Sequence, residues 1–179
     1  KGPLHGGANK SVMAMMKDIK ENVRDWEDEE ELKNYLKKII ERKAFDGAGV
    51  IYGLGHAIYT KSDPRTLILK KKARELAKDK KKMDEFKLYE SIEQFTPEVF
   101  YEVKKSNKVI TANVDFYSGF VYNCLDIPKE MYTPLFAMGR IPGWCAHRIE
   151  ELISGKKIIR PAYAHVGDFT SYVEIDKRI

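Results

Sequence analysis

The sequence predicts an all-α protein, on three observations. Apolar residues recur at helical spacing along most of the chain, acidic residues stand where helices should start, and strand signals are confined to two weak stretches, Lys108 to Thr111 and Tyr172 to Ile175.

Val12, Met16, Ile19 and Val23 form the first apolar stripe, with Ala8-Asn9 near its start and Met13 and Met15 thickening it. Asp28 opens a second helix, followed by Glu29, Glu30 and Glu31 where the helix dipole favours anions. Leu32, Tyr35, Leu36, Ile39 and Ile40 are its apolar face, and Gly47 and Gly49 break the pattern. Asp63-Pro64 reads as an N-cap and first-turn proline, with Leu69, Ala73, Leu76 and Ala77 continuing inward. A further helix runs from about Met83 through Phe86, Tyr89 and Ile92, and Thr96-Pro97 either kinks it or starts a new one. Residues Asp115 to Leu125 are helical and end before Ile127-Pro128. A long helix runs from Thr133-Pro134 to Ser154, with Gly155 as its C′ residue.

The chain has 179 residues, 43% hydrophobic and 33% charged, a globular balance that excludes a disordered chain. No apolar run approaches the roughly 20 residues that span a bilayer, and no signal peptide is visible. Cys124 and Cys145 have no ligand or redox spacing, so buried thiols in a reducing cytoplasm and no metal site are expected. The chain opens in a Gly- and Pro-rich turn at Lys1, and such turns connect elements, so a preceding segment is expected. The net charge of +5 sits largely in Lys70-Lys71-Lys72 and in the run from Lys78 to Lys82. These lysines form either a solvated face with acidic partners nearby or an attractor for an anionic ligand. No aromatic residue is interleaved with them, which argues against stacking on single-stranded nucleic acid.

Four segments interrupt the amphipathic pattern with polar groups in Gly- or Pro-rich turns. In Gly2-Pro3-Leu4-His5-Gly6-Gly7-Ala8-Asn9, His5 precedes a helix whose free N–H groups disfavour the imidazolium. A neutral ring N–H there can donate to a developing oxyanion. In Gly53-Leu54-Gly55-His56-Ala57-Ile58-Tyr59 the glycines permit close approach by a ligand, and His56 can donate a proton or hydrogen bond. Arg65 occupies a first turn, where the dipole disfavours a cation and an anionic partner is expected. In Asn113-Val114-Asp115-Phe116-Tyr117-Ser118-Gly119, Asp115 is either an N-cap or a general base whose pKa burial would raise. In Gly139-Arg140-Ile141-Pro142-Gly143-Trp144, Arg140 is expected to hold a carboxylate or phosphate, or to pair internally with Glu150 or Glu151. His147 and His165 carry no assignment.

Taken in order, GPLHGGAN at 2–9, GLGHAIY at 53–59, DPR at 63–65, NVDFYSG at 113–119, GRIPGW at 139–144 and RP at 160–161 resemble the citrate synthase family over nearly the whole chain. That resemblance implies a citrate synthase-like multi-helical fold. Residues 7–126 would be the small, CoA-side domain, residues 1–6 a remnant of the large domain, and residues 127–179 its C-terminal part. It implies condensation of acetyl-CoA with oxaloacetate to citrate and CoA through an enol or enolate, by an acyltransferase of the tricarboxylic acid cycle. His5 would stabilise the enolate, Asp115 would remove the methyl proton, and His56 would bind the ketone oxygen of oxaloacetate and supply a proton. Arg65, Arg140 and Arg160 would bind carboxylates, Arg160 across the interface of a homodimer. Ile51, Gly53, Leu54 and Gly55 would meet the adenine end of CoA, with Lys61 the nearest cation to its phosphates, since Thr60 stands where some members have arginine. No permanently bound cofactor, nucleic acid or membrane partner is implied.

The chemistry agrees with this assignment. The methyl group of a thioester is too weak an acid for a carboxylate unless the carbonyl oxygen accepts a strong hydrogen bond as charge develops. Two planar guanidinium forks suit a dicarboxylate. The chain alone is expected to be inactive, because part of the substrate pocket would be missing. A 2-methylcitrate synthase using propionyl-CoA has the same groups, and one methyl is worth only ~1–3 kcal/mol in a pocket. A citryl-CoA lyase and a non-catalytic basic helical module are the remaining alternatives.

Overall fold

A computed structural model describes residues 7–56, 58–59, 62–155 and 174–177. The helices are α1 (Ala8–Asn22), α2 (Glu29–Ile40), α3 (Pro64–Asp79), α4 (Met83–Lys104), α5 (Val114–Cys124) and α6 (Tyr132–Ser154), with 3-10 turns at Lys129–Met131 and Ile175–Lys177. Among the described residues there is no strand, so the all-α expectation holds. The weak signal at Lys108 to Thr111 is irregular and leads into one antiparallel bridge, Leu54 to Ala112. Residues 172–173 lie outside the described residues, and Ile175 begins a 3-10 turn.

The chain forms two compact units, Lys1–Arg140 and Ile141–Ile179. In the first, α5 packs on α1 and α3, and α4 packs on α2 and α3. The caps explain the starts. Asp28 accepts from the N–H groups of Glu30 and Glu31, and Asp63 accepts from that of Arg65 with Pro64 opening α3. α5 is capped by Asn113, which accepts from the N–H of Asp115, so Asp115 is not the N-cap. α4 continues through Pro97 as one helix rather than starting anew, with the Thr96 hydroxyl donating to the Ile92 carbonyl at 2.6 Å. Residues buried on both sides of the proline, Ile92 and Val99, hold the helix against its neighbours. Lys105, in the left-handed conformation at φ 50°, ends it.

The core centres on rings. Tyr89 meets Phe116, Tyr117 and Phe120 at centroid distances of 5.3, 6.0 and 5.2 Å, and its hydroxyl reaches Met13 Sδ at 3.5 Å. Three of these rings belong to α5, whose burial therefore sets where its N-terminus, with Asp115, can lie.

The lysine-rich segments resolve as a solvated face with acidic partners. Lys70 pairs with Glu93 at 2.7 Å and Glu90 at 3.5 Å, and Lys72 with Glu75 at 2.8 Å. Cys124 is buried as expected, but Cys145, on α6, is exposed.

Candidate active site

The loop before His56 is held by backbone pairing with the segment before α5. The Gly55 N–H donates to Thr111 O at 2.7 Å, and the Asn113 N–H donates to Gly53 O at 2.8 Å. Glycine is required at both loop positions. Gly53 and Gly55 have φ of +81° and +92°, and a Cβ on Gly53 would stand 2.8 Å from Phe116 Cα and Val12 Cγ2. The close approach at Gly53 is thus made by α5 and α1 rather than by a ligand.

His56 follows directly. Its Nδ1 accepts from the N–H groups of Ile58 at 2.9 Å and Tyr59 at 3.1 Å. Nδ1 is therefore occupied as an acceptor, and the ring presents Nε2–H as its donor. The imidazole lies 4.7 Å from the Tyr59 ring, and the Arg65 guanidinium sits over the same ring at 5.7 Å.

Arg65 has the anionic partner its position calls for, and it is internal. Asp63, only 1% exposed, accepts from Arg65 Nε at 3.0 Å and Nη2 at 2.8 Å as well as from the Arg65 N–H. The backbone N–H of Val114, at the start of α5, adds a smaller favourable influence on its carboxylate. The Arg65 hydrogen bond, helped by these backbone donors, holds Asp63 below the usual carboxylate range. With one edge of its fork on Asp63, Arg65 keeps its Nη1 side for another carboxylate, and its side chain is 56% exposed. The sequence marks Asp63 only as a cap. Its second role, as the partner of the Arg65 fork, is made two residues away at the start of α3.

Asp115, in the first turn of α5, is half-buried, and burial pushes its carboxyl above the usual range. The charges of Arg65 and Arg140, and that of a protonated His56, act on it in the opposite direction, and Asp63 adds to the rise. Three of the sequence-predicted residues, His56, Arg65 and Arg140, are therefore within electrostatic reach of a fourth, Asp115, although the four come from separate parts of the chain.

Arg140 is exposed. It donates to Phe136 O at 3.1 Å, lies over the Phe136 ring at 5.6 Å, and is not paired with Glu150 or Glu151. Glu151 takes Arg148 instead, and His147 lies 3.8 Å from Glu150. His5, Lys61 and Arg160 lie outside the described residues, as does His165. The helix that follows His5 does begin without a side-chain cap, at Gly7.

A cavity of about 180 Å³ opens beside the glycine loop. Ile51, Leu54 and Gly55 line it, together with Phe100, Lys108 and Ile110, which the sequence reading missed. Gly53 does not line it. Phe100 and Lys108 are distant in sequence from the loop, and the only signal that could have joined them is the pairing of residues 111–113 with it. A wider hollow near Trp26 and Lys87 contains none of the candidate residues. Among the described residues no group of side chains could hold a metal ion.

The family pattern described as citrate synthase, C-terminal domain, matches residues 1–162. A citrate synthase of Synechocystis is 41% identical over 181 residues, covering 99% of this chain and 41% of that protein. A 2-methylcitrate synthase of Shewanella oneidensis is 36% identical over 167 residues, covering 93% of this chain and 39% of that protein. Among solved structures, the ternary complex of a Thermoplasma acidophilum citrate synthase with carboxymethyl coenzyme A and oxaloacetate superposes with a TM-score of 0.68 at 33% identity. It covers 99% of this chain and 44% of the other. The chain thus spans about two-fifths of the length of the curated relatives it matches.

Proposed function

The chain belongs to the citrate synthase family, and from that premise we propose that the whole protein condenses acetyl-CoA with oxaloacetate to give citrate and CoA. The observation that supports this most is the half-buried carboxyl of Asp115, raised by burial and within electrostatic reach of His56, Arg65 and Arg140. Asp115, shielded from water, takes a proton from the thioester methyl, and the carbonyl oxygen becomes an enol or enolate oxygen. His5 is the donor proposed for that oxygen. His56 directs Nε2–H at the ketone of oxaloacetate, and Arg65, Arg140 and Arg160 take its carboxylates. The methyl carbon then bonds to the ketone carbon, the ketone oxygen gains a proton from His56, and water cleaves the thioester to release CoA.

The cavity lined by Ile51, Leu54 and Gly55 is apolar with one cation, Lys108, at its wall, which suits the adenine end of CoA with a phosphate nearby. Acetyl-CoA is a co-substrate in this reading, and no resident cofactor takes part. Residues 7–126 serve as the smaller, CoA-side domain, residues 1–6 and 127–179 belong to the larger one, and the working protein is a cytoplasmic homodimer. The isolated chain is inactive, for want of the remaining pocket walls.

The relative from Shewanella oneidensis keeps a second substrate in view, since propionyl-CoA needs the same acid, base and forks. Initial rates of the whole protein with each thioester and oxaloacetate, with the acid product identified, test the proposal. Citrate from acetyl-CoA with the higher kcat/KM is expected. Higher kcat/KM for propionyl-CoA moves the assignment to methylcitrate, and no carbon–carbon bond formation with either overturns it.

A further inference from the structure

We propose that Asn113 is a positioning residue that holds His56 and Asp115 at one fixed separation. The inference rests on the condensing reading above. Three of the hydrogen bonds of Asn113 tie the two segments together, two into the glycine loop and one into α5. Its backbone N–H donates to Gly53 O at 2.8 Å, its side-chain Nδ2 to Gly55 O at 2.9 Å, and its Oδ1 accepts from the Asp115 N–H at 3.0 Å. Gly55 O belongs to the peptide that links Gly55 to His56. One planar amide thus joins the backbone at both candidate reacting residues, across a sequence separation of 58. The partners also fix which end of the amide is which, since a flipped group would set oxygen against Gly55 O and N–H against N–H.

The choice of asparagine follows from this double duty. Serine and aspartate cap a helix about as well as asparagine does, so capping alone does not ask for it. Neither offers an N–H donor alongside the acceptor, and glutamine is longer by one methylene. Gly55, at φ +92°, is the most pliable point of the loop, and the Asn113 bond lies on its carbonyl. Without that bond the peptide leading into His56 loses its tie to Asn113 and keeps the neighbouring Gly55 N–H bond to Thr111 O, while Asp115 stays fixed by the buried rings of α5.

Asn113→Ser in the whole protein separates the two duties, keeping a capping oxygen but losing reach to Gly55. A fall of kcat of on the order of thirtyfold is expected, since a misplacement of about 1 Å can cost about a hundredfold. KM for oxaloacetate should stay within about threefold, because Arg65 and Arg140, the forks assigned to its carboxylates, are untouched. Asn113→Asp, which also keeps the cap but sets a carboxylate oxygen against Gly55 O, should lose more. In a His56→Gln background the further Asn113→Ser change should cost less than about threefold, since the group it positions is gone. Wild-type kcat in Asn113→Ser, or an equal loss in the His56→Gln background, overturns the proposal. So does a loss that follows a lowered Tm and recovers in assays at lower temperature, because Asn113 would then support only the fold. The condensing reading fails separately, if the wild-type protein forms no citrate.

Discussion

α5 and α6 carry apolar residues at the same helical spacing and meet opposite surroundings. α5 buries Phe116, Tyr117, Phe120 and Cys124 against α1 and α3. Beyond Tyr132, α6 leaves Met138, Ile141, Trp144, Ile149, Leu152 and Ile153 exposed. Spacing specifies a helix locally, but a buried face needs partners, and only α5 has them among the described residues. The candidate site inherits that difference. Asp115 is anchored through α5 by rings, a cap and a loop, whereas the hydrogen bond and ring contact of Arg140, on α6, are with Phe136 of its own helix.

The largest effect that would break this comparison is on stability. Phe120→Ala should cost this chain about 3–5 kcal/mol, and Trp144→Ala should stay within about 0.5 kcal/mol, as read by denaturant unfolding. Similar costs at both positions would mean that α6 is packed after all. A smaller effect, on binding, sharpens the anchored side. Asp63→Asn leaves Arg65 Nη2 facing an amide N–H and should raise KM for oxaloacetate on the order of tenfold in the whole protein, with KM for acetyl-CoA moving less.

The smallest effect is a shift along the pH axis. Burial raises the Asp115 carboxyl, and a base must be ionised, so activity is lost as pH falls through the raised value. The acid limb of kcat/KM should therefore lie above the ordinary aspartate value of about 4. Arg65→Ala removes a charge that lowers this value and should move the limb to higher pH. The sign for stability is the reverse of an ion-paired carboxylate. The folded state binds the proton more tightly, so stability falls as pH rises from the ordinary value through the raised one. Asp115→Asn should then raise Tm at neutral pH, and a lowered Tm would contradict the direction of the shift.

The starts of α2 and α3 were legible because Asp28 and Asp63-Pro64 announce themselves within a few residues of what they cap. The candidate residues His56 and Asp115 were legible because each belongs to a polar, glycine-containing segment that amphipathic patterning does not explain. What remained hidden was every relation made across the fold. Asn113 reads as a neighbour of Asp115 until Gly55 pairs with it. Lys108 joins the loop only through the Leu54–Ala112 bridge. Arg140 has apolar neighbours in sequence, and the exposed face of α6 leaves it open.

The claim on which the rest depends is that Asp115 takes the methyl proton in the setting made by His56 and the two arginines. Exchange of the acetyl-CoA methyl protons with deuterated solvent, followed by NMR with the whole protein, measures that step directly. Wild type should exchange, and Asp115→Asn should be slower by on the order of a hundredfold or more. Exchange at the wild-type rate in Asp115→Asn would contradict the account.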